Sequence, residues 1–250
     1  MTVDEKLKQR FVELWKKYFF RAELPIAFYY TDEETQRELV PPPREHRCVI
    51  CDLTRVRSGA SLCFNVDGIG CPGGRRYLGF EQDLMPNFEY FLSCGIPGEL
   101  EGERYKKSPE LVRELLKHHP PLRAPAEYIV FKRWDNLGSK DEPAVVIFFS
   151  PPDVLSGLFT LANFDEADPN GVIAPFCSGC ASIVDYPYRE RASARPRAVL
   201  GMFDVSARPC VPDEVLSFAV PWPKLVRMID NMPESFLTTG SWDKVRGRIE

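Results

Sequence analysis

The sequence lacks an excess of positive charge, is poor in histidine and contains no long apolar run. Its 250 residues include 32 Lys and Arg, 36 Asp and Glu and 3 His, for a net charge of −4. A nucleic-acid-binding protein needs a basic surface to neutralise phosphates, and this composition does not supply one. No segment approaches the roughly 18 consecutive apolar residues that span a bilayer, and the charged residues 1–17 do not resemble a secretory signal. These absences predict a cytoplasmic protein with neither nucleic-acid nor membrane partners.

Nucleotide-binding signatures are incomplete. Gly68, Gly70 and Gly73 have the G-x-G-x-x-G spacing of the dinucleotide fingerprint, but we predict neither the strand that should precede them nor the helix that should follow. Catalytic Ser/His/Asp triads are recognised by their geometry, so sequence spacing cannot identify one here. The chain also offers few histidines for such a triad. The sequence therefore gives no reason to expect a nucleotide-dependent enzyme.

The remaining composition is that of an ordinary globular protein, with 44% apolar and 27% charged residues. We find no repeat and no linker, and predict a single domain over residues 1–250, with residues 1–22 as an N-terminal helix packing on it. Apolar periodicity and capping residues predict further helices, and short apolar runs predict strands. The predicted fold is an α/β or α+β domain with a mixed β-sheet flanked by helices. The predicted helices are 3–20, 109–118, 152–164 and one from 223, and the predicted strands are 26–30, 128–131, 144–149, 172–174, 199–203 and 216–220.

Five of the eight cysteines are arranged as a metal site would require. Cys48 and Cys51 form one C-x-x-C pair, Cys177 and Cys180 form another, and Cys71 lies between the pairs. Cytoplasmic thiols are kept reduced, and two thiolates separated by two residues can bind the same metal centre. Thiolates favour zinc or iron–sulfur clusters over magnesium or calcium. Because the pairs are much farther apart than in a zinc ribbon, they suit a site built onto a finished fold.

The other three cysteines, Cys63, Cys94 and Cys210, lie in or beside apolar runs, where we expect them in the core. Free cysteine often behaves as a small buried hydrophobic residue, so an alternative is that none of the eight binds a metal.

Glycines and arginines accompany the central cysteine. Gly73 and Gly74 follow Cys71, and their backbone N–H groups can reach cluster sulfurs or a substrate anion. Arg75 or Arg208 could hold the anionic group of a substrate. The alternative for Arg75 is a solvated surface arginine. We predict that these four residues bind substrate.

Several motifs resemble one family. They are Cys71-Pro-Gly-Gly with a following Leu-Gly, Ser178-Gly-Cys-Ala with a following Tyr-Pro, and the stretch from Leu200-Gly to Val220-Pro. This pattern resembles DUF169, a family of largely uncharacterised bacterial and archaeal proteins, and the resemblance extends from about residue 25 to 237.

The resemblance gives the cysteines different weights. It implies that Cys51, Cys71 and Cys180 occupy the family's recurrent positions, whereas Cys48 and Cys177 look like additions. The family often has a further cysteine where Met202 stands. Three shared cysteines would leave one corner of a cluster open, as in enzymes whose unique iron binds substrate.

The leading functional hypothesis is an iron–sulfur protein. It would hold a [4Fe-4S] cluster on Cys51, Cys71 and Cys180, with Cys177 or Cys48 as a fourth ligand. It would act as a redox or Lewis-acid enzyme on a small molecule, or transfer electrons to a redox partner. One alternative is a non-catalytic module that holds zinc or a ligand, and another is a thiol redox pair at Cys177 and Cys180. A homo-oligomer is compatible with all three.

Overall fold

The structure is a computed structural model that describes residues 4–33 and 38–249. These residues form a mixed β-sheet with helices packed on it, which confirms the predicted fold class. The helices are α1 Glu5–Phe19, α2 Val49–Arg57, α3 Pro72–Tyr77, α4 Phe88–Phe91, α5 Pro109–His118, α6 Pro152–Ala162, α7 Tyr186–Glu190, α8 Trp222–Asn231 and α9 Gly240–Arg246. The strands are β1 Ile26–Thr31, β2 Leu62–Phe64, β3 Tyr128–Arg133, β4 Val145–Ser150, β5 Val172–Ile173, β6 Ala198–Gly201 and β7 Leu216–Pro221.

Within the described residues the seven strands lie in the order β2-β3-β1-β4-β7-β6-β5. Neighbours are antiparallel except for β5 and β6, which are parallel, so the sheet is mixed and open. The central strand β4 is buried along its whole length. This explains its continuous apolar sequence, since a strand covered on both faces needs apolar side chains on both.

Alternate residues of β4 enter two separate cores. Val146 and Phe148 pack with α1, α6, α8 and α9 on one face, where Trp15 and Phe11 of α1 are almost completely buried. Val145, Ile147 and Phe149 of β4 pack with α2 and with the side chains of β2 on the other face. The second face also carries the cysteine-rich segments, so it is the face on which a site can form.

The predicted elements agree with the structure to within a few residues, with differences at the ends. The predicted N-terminal helix over residues 3–20 starts at residue 3, which lies outside the described residues. In the structure the N-cap of α1 is Asp4, whose carboxylate accepts the N–H of Lys6 at 3.1 Å. An acidic N-cap also complements the helix dipole.

The sequence did not predict the elements between residues 46 and 80. Helices α2 and α3 and strand β2 occupy this segment, whose cysteines and glycines obscure the periodicity. A five-residue π-helix, Ala181–Asp185, was also missed. Such helices are rare and often lie at functional sites. Among the described residues, no helix combines the length and apolarity needed to cross a membrane.

A close approach at Gly157 of α6 provides a test of the first core. A Cβ atom there would lie 2.8 Å from a ring carbon of Phe19 and would also overlap Trp242. We expect Gly157→Ala to lower the free energy of unfolding by about 1–3 kcal/mol, because overpacking strains a dense core. Urea denaturation measures it. Gly240→Ala is the matched control, since no heavy atom lies within 4 Å of its Cβ position. Equal losses in both variants would contradict this account.

Candidate functional site

A cavity of about 490 Å³ opens on the α2 face of the sheet. Its lining comes from the N-terminal ends of α2 and α3, from α4 and the end of α5, and from the segments 175–180 and 203–207. The volume is within the range of roughly 300–1,000 Å³ that is usual for small-molecule sites. The cavity therefore combines chain segments that are far apart in sequence.

Four cysteines line this cavity: Cys48, Cys71, Cys177 and Cys180. All four are free thiols. Cys48 and Cys71 are hydrogen-bonded to each other, and the sulfur of Cys71 also accepts the N–H of Gly74 at 3.1 Å. The fold thus brings cysteines from two distant segments of the chain to one cavity.

The thiols differ in acidity. The hydrogen bond from Cys48 lowers the pKa of Cys71, and the same bond raises the pKa of Cys48. Burial, with the nearby carboxylates of Asp204 and Asp185, raises the pKa of Cys177 to about 12. Burial first, and then nearby thiols and Asp204, raises the pKa of Cys180. Cys71 is therefore the thiol that most readily becomes a thiolate.

The two glycines predicted to bind substrate both line the cavity. A Cβ atom at Gly74 would lie 2.9 Å from the sulfur of Cys71 and 2.9 Å from a side-chain carbon of Val49. Only glycine therefore lets this backbone N–H reach the sulfur. A Cβ atom at Gly73 would meet nothing within 4 Å, so that position leaves open space beside the thiols.

Cys51, predicted as a metal ligand, does not line the cavity in this structure. It forms a disulfide with Cys210, with the two Cα atoms 4.6 Å apart. The expectation that every thiol is reduced and that Cys210 is a free core residue differs from what the structure shows. Cys48 precedes α2 with an extended backbone, whereas Cys51 lies in the first turn of α2 and is exposed. The two cysteines therefore have different surroundings, and a disulfide sulfur has no thiolate to offer a metal.

The two predicted arginines also lie outside the cavity lining. Arg75 donates to the carbonyl of Ile69 and pairs with Glu81 at 3.0 Å. Arg208 donates to three backbone carbonyls of its own loop, including that of Asp213 at 2.7 Å. Both guanidinium groups are engaged in local structure and are not placed to hold a ligand in the cavity.

Arg76 is an arginine that lines the cavity, and it was not among the residues predicted to bind substrate. Its side chain is buried and donates to the carbonyl of Gln82. Consecutive residues of a helix point in different directions. The position of both arginines close to Cys71 in the sequence therefore did not show that Arg76, and not Arg75, lines the cavity.

His119 and Asp185 form a second polar group on the cavity wall. The Nε2 atom of His119 lies 2.7 Å from Asp185 Oδ2, and the imidazole stacks on Tyr186 with ring centroids 4.2 Å apart. Arg189 binds the other oxygen of Asp185, which is 1% exposed. The sequence indicated only that His119 follows a helix. No local signal could have paired residues that are 66 positions apart.

The π-helix places both kinds of functional residue. It begins directly after Cys180 and ends at Asp185. Because a π-helix has a wider turn, the thiol of Cys180 and the carboxylate of Asp185 both reach the same cavity. In a regular α-helix of the same sequence these two side chains would point in more different directions.

The cysteines are not gathered around a single ion. In residues 4–33 and 38–249, no group of three or more His, Cys, Asp or Glu side chains is placed to hold a metal ion. A zinc site would thus require these thiols to move.

An open mixed sheet with a thiol-lined cavity on one covered face defines an α/β protein with a candidate cofactor or ligand site. The chain belongs to the DUF169 family, described as "Uncharacterised ArCR", whose profile matches residues 21–231. This confirms the resemblance seen in the sequence. No curated protein and no solved structure matches the chain.

The disulfide predicts a thiol count. Purified without reductant and then denatured, the protein should react with Ellman's reagent at six thiols, and at eight after reduction. Because the disulfide joins positions 159 residues apart, reduction should lower the free energy of unfolding by roughly 2–4 kcal/mol. The double variant Cys51→Ser, Cys210→Ser should show six thiols in both states. Eight thiols in the unreduced wild type would contradict the disulfide.

Asp185 offers a test of the polar wall. Asp185→Asn removes the charge that binds Arg189 and His119 in a buried position. We expect the free energy of unfolding to fall by about 1–3 kcal/mol, because buried donors lose their charged acceptor. The matched control is Asp230→Asn, which breaks an exposed ion pair with Arg10 and should cost less than about 1 kcal/mol. Chemical denaturation of both variants measures the difference, and a smaller loss for Asp185→Asn than for Asp230→Asn would refute the assignment.

Proposed function

We propose that the protein binds a [4Fe-4S] cluster at the thiols of this cavity and acts on a small molecule in the remaining space. The observation that carries the proposal is the convergence of four free cysteines, from two distant segments, on one cavity. We propose a cytoplasmic protein, in which the four cavity thiols stay reduced and the Cys51–Cys210 disulfide is an exception to the rarity of disulfides in that compartment.

The donor set suits an iron–sulfur cluster. Thiolates are the usual ligands of such clusters, and a backbone N–H from Gly74 already reaches the sulfur of Cys71. A cluster holds its thiolates farther apart than a single ion does, so Cys48 and Cys71, which are hydrogen-bonded to each other, would have to separate to bind two different irons. We therefore assign Cys48, Cys71 and Cys180 as ligands with Cys177 as the fourth. Cys51 is replaced in this set because its sulfur is bonded to Cys210.

When bound, a cluster held by all four thiolates would supply an electron, whereas one held by Cys48, Cys71 and Cys180 alone would leave one iron open as a Lewis acid. The chain itself would supply binding and proton transfer. Asp185 engages Nε2 of His119 and so orients the imidazole on the cavity wall, leaving Nδ1 as the nitrogen that can exchange a proton with a bound molecule. Apolar side chains from α4 and α5 would exclude water from that molecule.

A second candidate is a ligand-binding module without a cluster. It is favoured by the absence, within the described part of the chain, of a group placed to hold one metal ion, and by the hydrogen bond that satisfies Cys48 and Cys71 without metal. In this case the thiols would serve only as part of a ligand pocket.

The test is the iron, sulfide and zinc content of protein purified without oxygen, together with its visible spectrum. We expect iron and sulfide in the wild type, with absorbance near 400 nm typical of such clusters, and a loss of most of both in Cys71→Ala and Cys180→Ala. Cys94→Ala is the control, since this exposed free cysteine lies outside the cavity lining and its removal should leave the metal content unchanged.

Protein that contains neither iron nor sulfide would refute the cluster, and zinc in its place would support a structural metal. Retention of iron in both Cys71→Ala and Cys180→Ala would show that the metal binds elsewhere. Thermal denaturation of each variant checks that a loss of metal does not merely report an unfolded chain.

A further inference from the structure

The wall that α4 and α5 contribute to the cavity is apolar. Phe88 and Phe91 of α4 and Leu115 and Leu116 of α5 all line it, with Leu122 just beyond α5. Burial of apolar surface is the dominant favourable contribution to binding in such a pocket. This wall therefore selects a ligand with a large apolar part.

The cavity is also surrounded by exposed apolar side chains. Phe176, Phe203 and Val205 line it and are 52%, 55% and 67% exposed, and Met85 is 40% exposed. A cluster of exposed apolar side chains next to a cavity is typical of a binding site, whereas single apolar side chains scattered over a surface are ordinary. An apolar ligand would cover these side chains as it enters.

The charged groups of the lining are mainly acidic. Asp83, Glu103 and Asp204 all line the cavity, and the ion pairs found in the described parts of the chain involve none of them. Histidines apart, Arg76 is the basic side chain among the described lining residues, and it already donates to a backbone carbonyl. Lys106 is not a lining residue, but its ammonium group lies 3.9 Å from the ring centroid of Phe176, which is one.

These carboxylates disfavour an anionic ligand. An anion would lose its hydration on entering and would face like charges across a partly apolar space, where repulsion is stronger than in water. A neutral molecule of the same shape avoids both costs. Asp185, a fourth acidic group on the wall, is already paired with Arg189 and hydrogen-bonded to His119.

We infer that the ligand of this cavity is an uncharged, mainly apolar small molecule, and that the cavity discriminates against anions. This inference rests on the proposed function in one respect, which is that the same cavity binds the substrate. It replaces the expectation of an anionic substrate held by Arg75 or Arg208, since neither arginine lines the cavity.

A matched pair of fluorescent probes tests the inference. N-phenyl-1-naphthylamine is neutral, and 8-anilino-1-naphthalenesulfonate has the same ring system with an added sulfonate. In titrations followed by fluorescence, we expect the neutral probe to bind at least about tenfold more tightly, because repulsion and desolvation act on the sulfonate alone. In the double variant Asp83→Asn, Glu103→Gln, this ratio should shrink.

A second set of variants locates the probe. Leu116→Trp should fill the apolar wall and weaken the binding of the neutral probe at least about tenfold, since the pocket loses volume. Leu111→Trp places the same change on an exposed residue of α5 that does not line the cavity, and should leave binding unchanged. Leu92→Trp repeats the test from the residue that follows α4 if Leu116→Trp does not fold.

Equal or tighter binding of the sulfonate would overturn the inference, as would binding of the neutral probe that Leu116→Trp and Leu92→Trp leave unchanged. The titrations are run on protein as purified and on protein whose metal content has been measured as zero. Selective binding of the neutral probe to metal-free protein would support the ligand class even if the cluster is refuted. A cluster-containing protein that prefers the anion would overturn the ligand class alone.

Discussion

Burial of the central strand β4 on both faces is the constraint on which the rest of the structure depends. Its alternate side chains enter two separate cores, so each face of the sheet must be covered. Amphipathic helices cover the first face. The second face is covered by α2 and the π-helix, and the cysteine-rich segments reach the sheet there. The cavity forms on this face, between the second core and the short helices α4 and α5.

The state of the cysteines determines the chemistry of that cavity. The structure places Cys51 and Cys210 in a disulfide and leaves six cysteines outside it, four of which share the cavity. Buried thiols stay protonated unless a donor or a metal stabilises the thiolate, and here only Cys71 has its pKa lowered by neighbouring donors. Metal binding would displace the remaining protons, and for this reason ligation and acidity are linked at this site.

The sequence predicted elements with clear periodicity better than the segment that builds the site. Strands β4 and β7 and helix α5 were predicted nearly to their ends, because apolar runs of strand length and a proline-initiated amphipathic helix are strong local signals. Helix α2 was not predicted, because its cysteines were interpreted as metal ligands and its short apolar face was not recognised as a helical pattern. The choice between Arg75 and Arg76 was also beyond the sequence, because adjacent helical residues share composition but not direction.

The sequence by itself determined the family, the α/β class, and the set of residues from which a thiol site could be made, since these depend on motif, periodicity and residue type. Only the tertiary structure decided which cysteines face one cavity and which pair with each other. It also joined His119 to Asp185 and directed Arg208 to backbone carbonyls. The physical reason is distance: these contacts join residues that local interactions cannot relate, and their partners are fixed by how the sheet brings remote segments together.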